Sequence, residues 1–434
     1  MAAAKAPKPG GIASGLKSSL TEALDDLGPG LVTGAADDDP SGIATYSQAG
    51  AQFGYGLLWT MVLTYPLMCA VQLVSAHIGR VTGDGLAKNL AGNFPTGVVI
   101  ALVTVLVGAN IINIGADLAA MAAAAELVIG GRTHVLVVLF ALVSVLLQLF
   151  IPYHRYARIL KWLTLSLFAY VGVLLLVRID WTAAFLGMIW PGELGKAAIV
   201  TIVALLGTTI SPYLFFWQSS QEAEEVADDP RKKRLKDTPK RAAKAQLRRI
   251  RIDTLVGMAF SNLVALAIIV ATAATLHQQG VTQIDTAAQA AEALRPLAGP
   301  FAFALFALGI IGTGLLAVPV LAGSAAFAVS ETRDWPHGLE YDPRKARRFY
   351  SIIVAATVGG ALLDWLNVNP IKALFWSAVL NGIAAVPLMA AMMIIASRRK
   401  VMGQFTAEPA LLVFGWGATG VMAAATLSFF ATLL

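Results

Sequence analysis

Residues 37–42 read Asp37-Asp38-Asp39-Pro40-Ser41-Gly42, three carboxylates followed by a proline and a glycine, inside an otherwise apolar run from about 30 to 50. A charge at the centre of a bilayer costs roughly 2.5–3.5 kcal/mol even on the lenient insertion scale, so such a cluster persists only where it has a use. Proline cannot donate the helical hydrogen bond and clashes with the preceding turn, while Gly42 tolerates unusual dihedrals. The helix is therefore predicted to open at Pro40 and to leave carbonyl groups unpaired. Residues 207–213, Gly207-Thr208-Thr209-Ile210-Ser211-Pro212-Tyr213, interrupt a second apolar run at Pro212. Non-helical backbone at membrane depth is tolerated only where protein or a water-filled cavity surrounds it.

The rest of the chain supports a membrane setting. Of 434 residues, 57% are hydrophobic and 13% charged, against about 25% charged in soluble globular proteins, and the mean hydropathy is +0.70. Apolar segments recur at about 30–50, 56–79, 96–120, 133–151, 158–178, 197–218, 253–277, 300–328, 349–366, 371–396 and 409–433, each near the length that crosses roughly 30 Å of hydrocarbon. The expected class is an all-α polytopic membrane protein. The single cysteine, Cys69, excludes an internal disulfide framework and a thiolate metal cluster.

The net charge of +6 comes largely from eleven Lys and Arg between Arg231 and Arg251. With the N-terminus inside, that loop falls on the cytoplasmic side. So do Arg80 with Lys88, His154-Arg155-Tyr156-Ala157-Arg158, Arg333 with Arg344-Lys345-Ala346-Arg347-Arg348, and Arg398-Arg399-Lys400. One orientation accounts for every basic cluster, and no nucleic-acid partner is needed to explain the charge. The mixed, polar residues 1–27 carry no apolar run behind a basic start and are expected to be a cytoplasmic N-terminal segment. An eleventh span puts the C-terminus outside, with a cell inner membrane as the expected location.

Two broken spans, five apart, point to a transporter built of inverted repeats, spans 1–5 and 6–10, with its substrate at the midplane between the breaks. The ten-span core runs over 28–397, its repeats over about 28–180 and 195–397, and 398–434 adds the eleventh span. A simple kink is the competing account of either proline alone; the pair, one beside carboxylates, favours a site. Ser41, Thr208, Thr209 and Ser211 add hydroxyls to a carboxylate and freed carbonyls. Such hard oxygen ligands suit Mg²⁺, Mn²⁺ or Ca²⁺. Successive helical residues point about 100° apart, so Asp39 is placed at the break and Asp37 and Asp38 along a cavity wall. Asn110 and Asn113 share a helix face and are read as interhelical hydrogen-bonding groups, and His77 as an interfacial or hydrogen-bonded residue. Gly309, Gly312 and Gly314 are read as close-packing positions, and Trp59, Trp162, Trp181, Trp190 and Trp335 as interfacial anchors.

These residues and their surroundings resemble the NRAMP family of divalent metal transporters. The stretch from Gly28-Pro29-Gly30 to Asp39-Pro40 runs in step with the family's first segment, as do Gln48-Ala49-Gly50-Ala51-Gln52-Phe53-Gly54-Tyr55 and Leu57-Leu58-Trp59. Gln72, Val81-Thr82-Gly83, Leu86-Ala87, Asp117-Leu118-Ala119, Asp253, Asn262 and Met402-Gly403 continue the match. The resemblance implies a LeuT-type fold, alternating access and a metal held between the broken segments. Typical members read Asp-Pro-Gly-Asn at the first break and Met-Pro-His at the second. Here Ser41 and Gly42 stand for the glycine and asparagine, and Ser211 and Tyr213 for the methionine and histidine. Carried over, Asp39 is the carboxylate ligand, Thr208 the backbone-carbonyl ligand and Ser211 the replacement for the thioether. Gly42 occupies the amide ligand's position without a side chain, and Asn381 falls near the family's cavity lining.

Loss of the thioether relaxes the rejection of Mg²⁺ and Ca²⁺, and a site with fewer protein ligands suits an ion that keeps part of its water. The chain thus resembles a magnesium-transporter branch related to NRAMP. Positions where typical members carry a glutamate, a histidine and an arginine read Ala120, Tyr213 and His77. Passive or weakly proton-coupled transport is expected, with Asp37, Asp38 and Asp117 offering another proton route. The expected function is a carrier and not an enzyme, needing no cofactor beyond the transported Mg²⁺ or Mn²⁺. The alternatives are a non-metal small substrate on the same scaffold, or proton-coupled Mn²⁺ or Fe²⁺ transport. The oligomeric state is not set by the sequence.

Overall fold

The structure, a computed structural model, describes residues 33–34, 36–151, 155, 164–192, 194–228, 233–339 and 341–433. Among these, the regular secondary structure is entirely helical. The longer helices are α1 (Pro40–Phe53), α2 (Leu58–Thr82), α3 (Thr96–Ile129), α4 (Thr133–Phe150), α5 (Phe168–Leu174), α6 (Lys196–Thr209), α7 (Pro212–Asp228), α8 (Lys240–Thr275), α9 (Ala302–Thr332), α10 (Arg347–Leu362), α11 (Pro370–Ser397) and α12 (Pro409–Thr432). Short helices at Leu86–Ala91, Trp181–Ile189 and Ala287–Glu292 lie in the connections.

Of the eleven expected spans, nine appear among the described residues as helical runs long and apolar enough to cross a bilayer. The other two are not among these nine. The first is divided: Thr33, Gly34, Ala36 and Asp37 are helical, the helix opens at Asp38 and Asp39, and α1 follows with only 14 residues. The fifth is described from Thr164 as a 3₁₀ turn running into α5. The charged stretch at about 219–252, expected as a surface loop with helical ends, has such ends: α7 runs to Asp228 and α8 starts at Lys240. Residues 1–27, His154, Arg158 and Trp162 lie outside the described residues.

Proline and capping residues set where helices begin. Pro40 stands at the start of α1 with Asp39 as its N-cap, and Pro370 opens α11, where the Asn369 side chain accepts from the Lys372 N–H. The chain leaves α2 through Gly83 at φ 70°, a conformation glycine adopts without strain. Helix α4 turns Val135, Leu142 and Phe150 outward, the last 76% exposed, and α12 does the same with Val413 and Leu427. Outward apolar faces at the periphery are what a lipid surround accepts.

The interior is built around α3, which packs on α9, α11 and α10, while α6 lies on α11, α7 on α2, and α1 on α8. Asn110 fulfils an interhelical role, donating from α3 to the Leu321 carbonyl and to Ser324 Oγ of α9. His77 bonds to the Phe405 carbonyl through Nε2 at 2.6 Å. Trp181 and Trp190 flank a short connecting helix and are exposed, and Trp335 lies under the Arg348 guanidinium at 4.8 Å.

A close helix approach sits beside the second break, where Gly207 of α6 meets Ala378 and Gly382 of α11 backbone to backbone. A Cβ at 207 would overlap the Ala378 carbonyl oxygen. Overpacking a well-filled site costs about 1–3 kcal/mol, so Gly207→Ala is expected to lower the thermal unfolding temperature of the purified protein in detergent. An unchanged melting curve would mean that α6 and α11 separate freely.

Candidate functional site

Both helix interruptions are present, and they face each other. At the first, Asp39 adopts extended backbone (φ −69°, ψ 169°). At the second, α6 ends at Thr209, Ile210 leaves the helical region (φ −123°, ψ 57°), and α7 resumes at Pro212. A Cβ added to Gly42 would lie 3.1 Å from Thr208 Oγ1 and 3.4 Å from the Asp37 carbonyl oxygen. Gly42 therefore brings the first break against the second, and a larger side chain at this position would have to push Thr208 aside.

Asp39 lies between the gaps, 1% exposed. Its Oδ1 accepts from Ser41 Oγ at 2.7 Å and from the Gly42 N–H at 2.7 Å, the second bond capping α1. Its Oδ2 accepts from Asn113 Nδ2 at 3.1 Å and from the Tyr213 hydroxyl at 3.3 Å. Four neutral donors thus match the roughly four lone-pair sites of a carboxylate. A cation entering here displaces at least one of them. Ser41 and Tyr213 are the replaceable donors, because a rotated hydroxyl can offer a lone pair where it had offered a proton.

Asn113 links three helices. Besides Asp39 it donates to Asp117 Oδ2 at 3.2 Å, and its Oδ1 accepts from Asn381 Nδ2 of α11 at 3.2 Å. Asp117 and Asn381, two of the expected cavity residues, therefore reach Asp39 through a residue read from the sequence only as interhelical glue. The signal was available: Asn113 and Asp117 are four apart on one helix and share a face.

Other candidates are placed differently. Asp37 and Asp38 do not line an open cavity; both are packed against α8, where Ser261 Oγ lies 2.5 Å from Asp37 Oδ2 and 3.1 Å from Asp38 Oδ1. Ser261 was not singled out, and nothing in the sequence pairs it with residues more than 220 positions away. Thr209 turns from the gap and donates to the Leu205 carbonyl. Ser211 Oγ lies 2.8 Å from the Gly207 carbonyl and 2.9 Å from the Thr208 carbonyl, so its proton is committed to the end of α6. The Thr208 carbonyl keeps a second lone pair for another partner.

The electrostatics favour a positive guest. The hydrogen-bond partners of Asp37, Asp38, Asp39 and Asp117 are all uncharged, and Asp37 Oδ1, Asp38 Oδ2, Asp117 Oδ1 and Asn381 Oδ1 are buried without a protein partner. Among the described residues no three His, Cys, Asp or Glu side chains surround a common point. The site is thus no carboxylate cage. It offers one central carboxylate with carbonyl, hydroxyl and amide oxygens, which fits a hard cation that keeps some of its water.

The gap is closed on the side away from the basic loops. A cavity of about 650 Å³ there is lined by Glu126, His134, Asp285 and Asp364. Between it and the gap, Ile43 of α1 with Phe306, Ile310, Ile371 and Leu374 leaves a void of only about 10 Å³.

The Natural resistance-associated macrophage protein-like family matches residues 30–432. The chain is similar to a divalent metal cation transporter, MntH, of Yersinia enterocolitica, 30% identical over 298 residues covering 67% of this chain and 69% of that protein. It is 27% identical to MntH of Aeromonas hydrophila over 408 residues, 90% of this chain and 91% of the relative. Its fold is similar to that of the Eremococcus coleocola manganese transporter, with TM-score 0.72 and 17% identity over 98% of this chain and 88% of the other. The nucleobase-cation-symport-1 transporter Mhp1 aligns with TM-score 0.59 and 14% identity over 94% and 93% of the two chains. These neighbours share the LeuT-type fold.

Replacing Asn113 by leucine keeps the volume and removes the donor shared by Asp39 and Asp117. A buried acceptor left unsatisfied costs about 1–3 kcal/mol, so Asn113→Leu should unfold at lower temperature than the parent protein. The same assay on Asn110→Leu, which is bonded away from the gap, gives the comparison for an ordinary interhelical amide.

Proposed function

The chain belongs to the natural resistance-associated macrophage protein-like family, and from that membership we propose that it carries divalent metal cations across a membrane by alternating access. The observation that carries the reading is the buried Asp39 carboxylate between two facing helix breaks, with only uncharged groups bonded to it. Asp39 is the charged ligand, the Thr208 carbonyl and Ser211 Oγ are its oxygen partners, and water completes the shell. Asp37, Asp38, Asp117 and Asn381 hold the surrounding potential negative.

The preferred ion is Mg²⁺, then Mn²⁺. Every candidate ligand is oxygen, and among the described residues no thioether or imidazole is bonded to Asp39 that would favour softer ions. The relatives named as divalent metal and manganese transporters support Mn²⁺ as the second substrate. Coupling to protons is weak or absent, since Tyr213 and Ala120 occupy positions where a relay would need groups that titrate near neutrality. The basic clusters support a cytoplasmic N-terminus, an outer C-terminus and a cell inner membrane. A bulky organic substrate is disfavoured by the crowding at Gly42, where even an added Cβ would lie 3.1–3.4 Å from Thr208, Tyr46 and Asp37.

Liposome uptake with Mg²⁺, Mn²⁺ and Ca²⁺ in competition, with internal pH recorded, tests the reading directly. Asp39→Ala is expected to abolish uptake of all three while the protein remains folded and monodisperse. Transport that persists in this variant removes Asp39 from the ion's path. Ser211→Met is expected to move preference toward Mn²⁺ or Cd²⁺ over Mg²⁺ by about tenfold, equivalent to about 1.4 kcal/mol; an unaltered ion profile would separate Ser211 from the ion.

A further inference from the structure

Helix α7 carries a polar row that leads away from the gap. Beyond Ser211, which precedes the helix, Gln218, Glu222 and Glu225 of α7 are spaced by four and three residues, which places them on one helical face. The row ends at the basic loop. Helix α2 packs on both α7 and α8 along this stretch.

The far end of the row is closed by an ionic cluster. Arg80 of α2, only 2% exposed, donates to Glu225 Oε2 of α7 at 3.1 Å and to Gln246 Oε1 of α8 at 3.0 and 3.1 Å. Arg249 of α8 donates to both Glu225 oxygens, at 3.0 and 2.7 Å. Both guanidiniums are thereby committed to Glu225.

Glu222 stands one turn nearer the gap and is left out of this arrangement. It is fully buried, and neither carboxylate oxygen has a protein partner. The charged groups around it are Glu225, Arg80, Arg249 and Asp253. Arg80 and Arg249 both bond to Glu225, and neither bonds to Glu222. Two amides along the same stretch are also incompletely paired. Gln218 lies on Glu222's own face, buried, with Nε2 unpartnered, and Gln72 of α2 is buried with both Oε1 and Nε2 unpartnered. Unpaired polar groups in a membrane-embedded core are costly, and here three of them lie on the packed pair α2 and α7.

We propose that Glu222 is a second binding position for a partly hydrated divalent cation, on the release side of the Asp39 site, and that the Arg80–Glu225–Arg249 cluster closes the route beyond it. The proposal rests on the transport reading above. Eleven residues separate Ser211 from Glu222, about 16 Å along a helix, so the two positions bind separate ions or one ion in succession. A single carboxylate leaves most of the ion's shell to water. While the cluster is bonded, its guanidiniums stand between a cation at Glu222 and the basic surface. Once Arg80 lets go, that barrier moves with α2.

The test uses the full-length protein in liposomes and Mn²⁺ as the probe. Glu222→Gln is expected to lower the maximal rate of uptake about tenfold, about 1.4 kcal/mol in the barrier, with the half-saturating outside concentration unchanged because Asp39 still loads first. Glu222→Asp, which restores the charge, should regain at least half of the rate. Wild-type rates in Glu222→Gln, or equal slowing in the Gln and Asp variants, overturn the proposal. A readout independent of turnover is Mn²⁺ binding in detergent followed by electron paramagnetic resonance. Asp39→Ala should retain one weak site that Asp39→Ala with Glu222→Gln lacks, and equal binding by the two proteins overturns the assignment. A wild-type protein that moves no divalent cation overturns the transport reading, and the binding comparison still decides on Glu222.

Discussion

The bond from the Gly42 N–H to Asp39 Oδ1 is the interaction on which the rest depends. A helix that starts in the middle of a bilayer exposes N–H groups that water cannot reach, and each unsatisfied group costs several kcal/mol. Asp39 answers that demand as an N-cap, and it does so from the positive end of the α1 dipole. The group that lets the helix break is thus also the negative charge at the break. Thr209 ends α6 on the opposite side, where carbonyl oxygens at a helix C-terminus carry the partial negative charge. Cap, carboxylate and free carbonyls arise from a single device, a helix interrupted by proline.

The two routes out of the gap are closed by different physics. Toward the cavity lined by Glu126, Asp285 and Asp364, the barrier is apolar packing by residues such as Ile43, Phe306 and Leu374. Such a plug opposes a hydrated ion by withholding partners for its shell, and it yields by small side-chain movements. Toward the basic loops the barrier is directional, with Arg80 bonded at once to α7 and α8. A bonded cluster of this kind has few intermediate positions, which suits a gate that is either shut or open. Acidic groups around the first mouth draw cations toward it, and the basic surface at the other end does not.

Much of this architecture is written locally, which is why it could be read from the sequence. Apolar runs along the chain give the spans, and Asp39-Pro40 and Ser211-Pro212 mark the breaks because proline's effect is confined to its own turn. Helix ends are less legible: α3 runs on to Ile129, past the expected end near 120, since Ala122–Ala125 are good helix formers and nothing stops them before Gly130. The donors that fix Asp39 were invisible because they are remote in sequence, Asn113 by 74 residues and Tyr213 by 174. Hydroxyl directions escaped as well. Ser41, Thr209 and Ser211 all looked like groups facing the gap, yet Thr209 and Ser211 bond back to their own helix end and Ser41 bonds to Asp39. A hydroxyl beside a broken helix has free carbonyls within reach, and periodicity cannot say which it will choose.

That choice bears on which ion the gap can hold. With its proton given to the Gly207 and Thr208 carbonyls, Ser211 presents oxygen lone pairs in the remaining directions. Tyr213 spends its proton on Asp39 or on the Ala36 carbonyl, 3.1 Å away, and can serve only one at a time. An ion approaching Asp39 therefore meets oxygens that can rotate and no sulfur or nitrogen that would hold it more firmly. Gly42 removes a further side-chain ligand and at the same stroke allows the two breaks to touch. On the proposed reading, a shell of few, rotatable oxygens recovers little of the dehydration energy of a small divalent ion, which favours an ion that enters with part of its water.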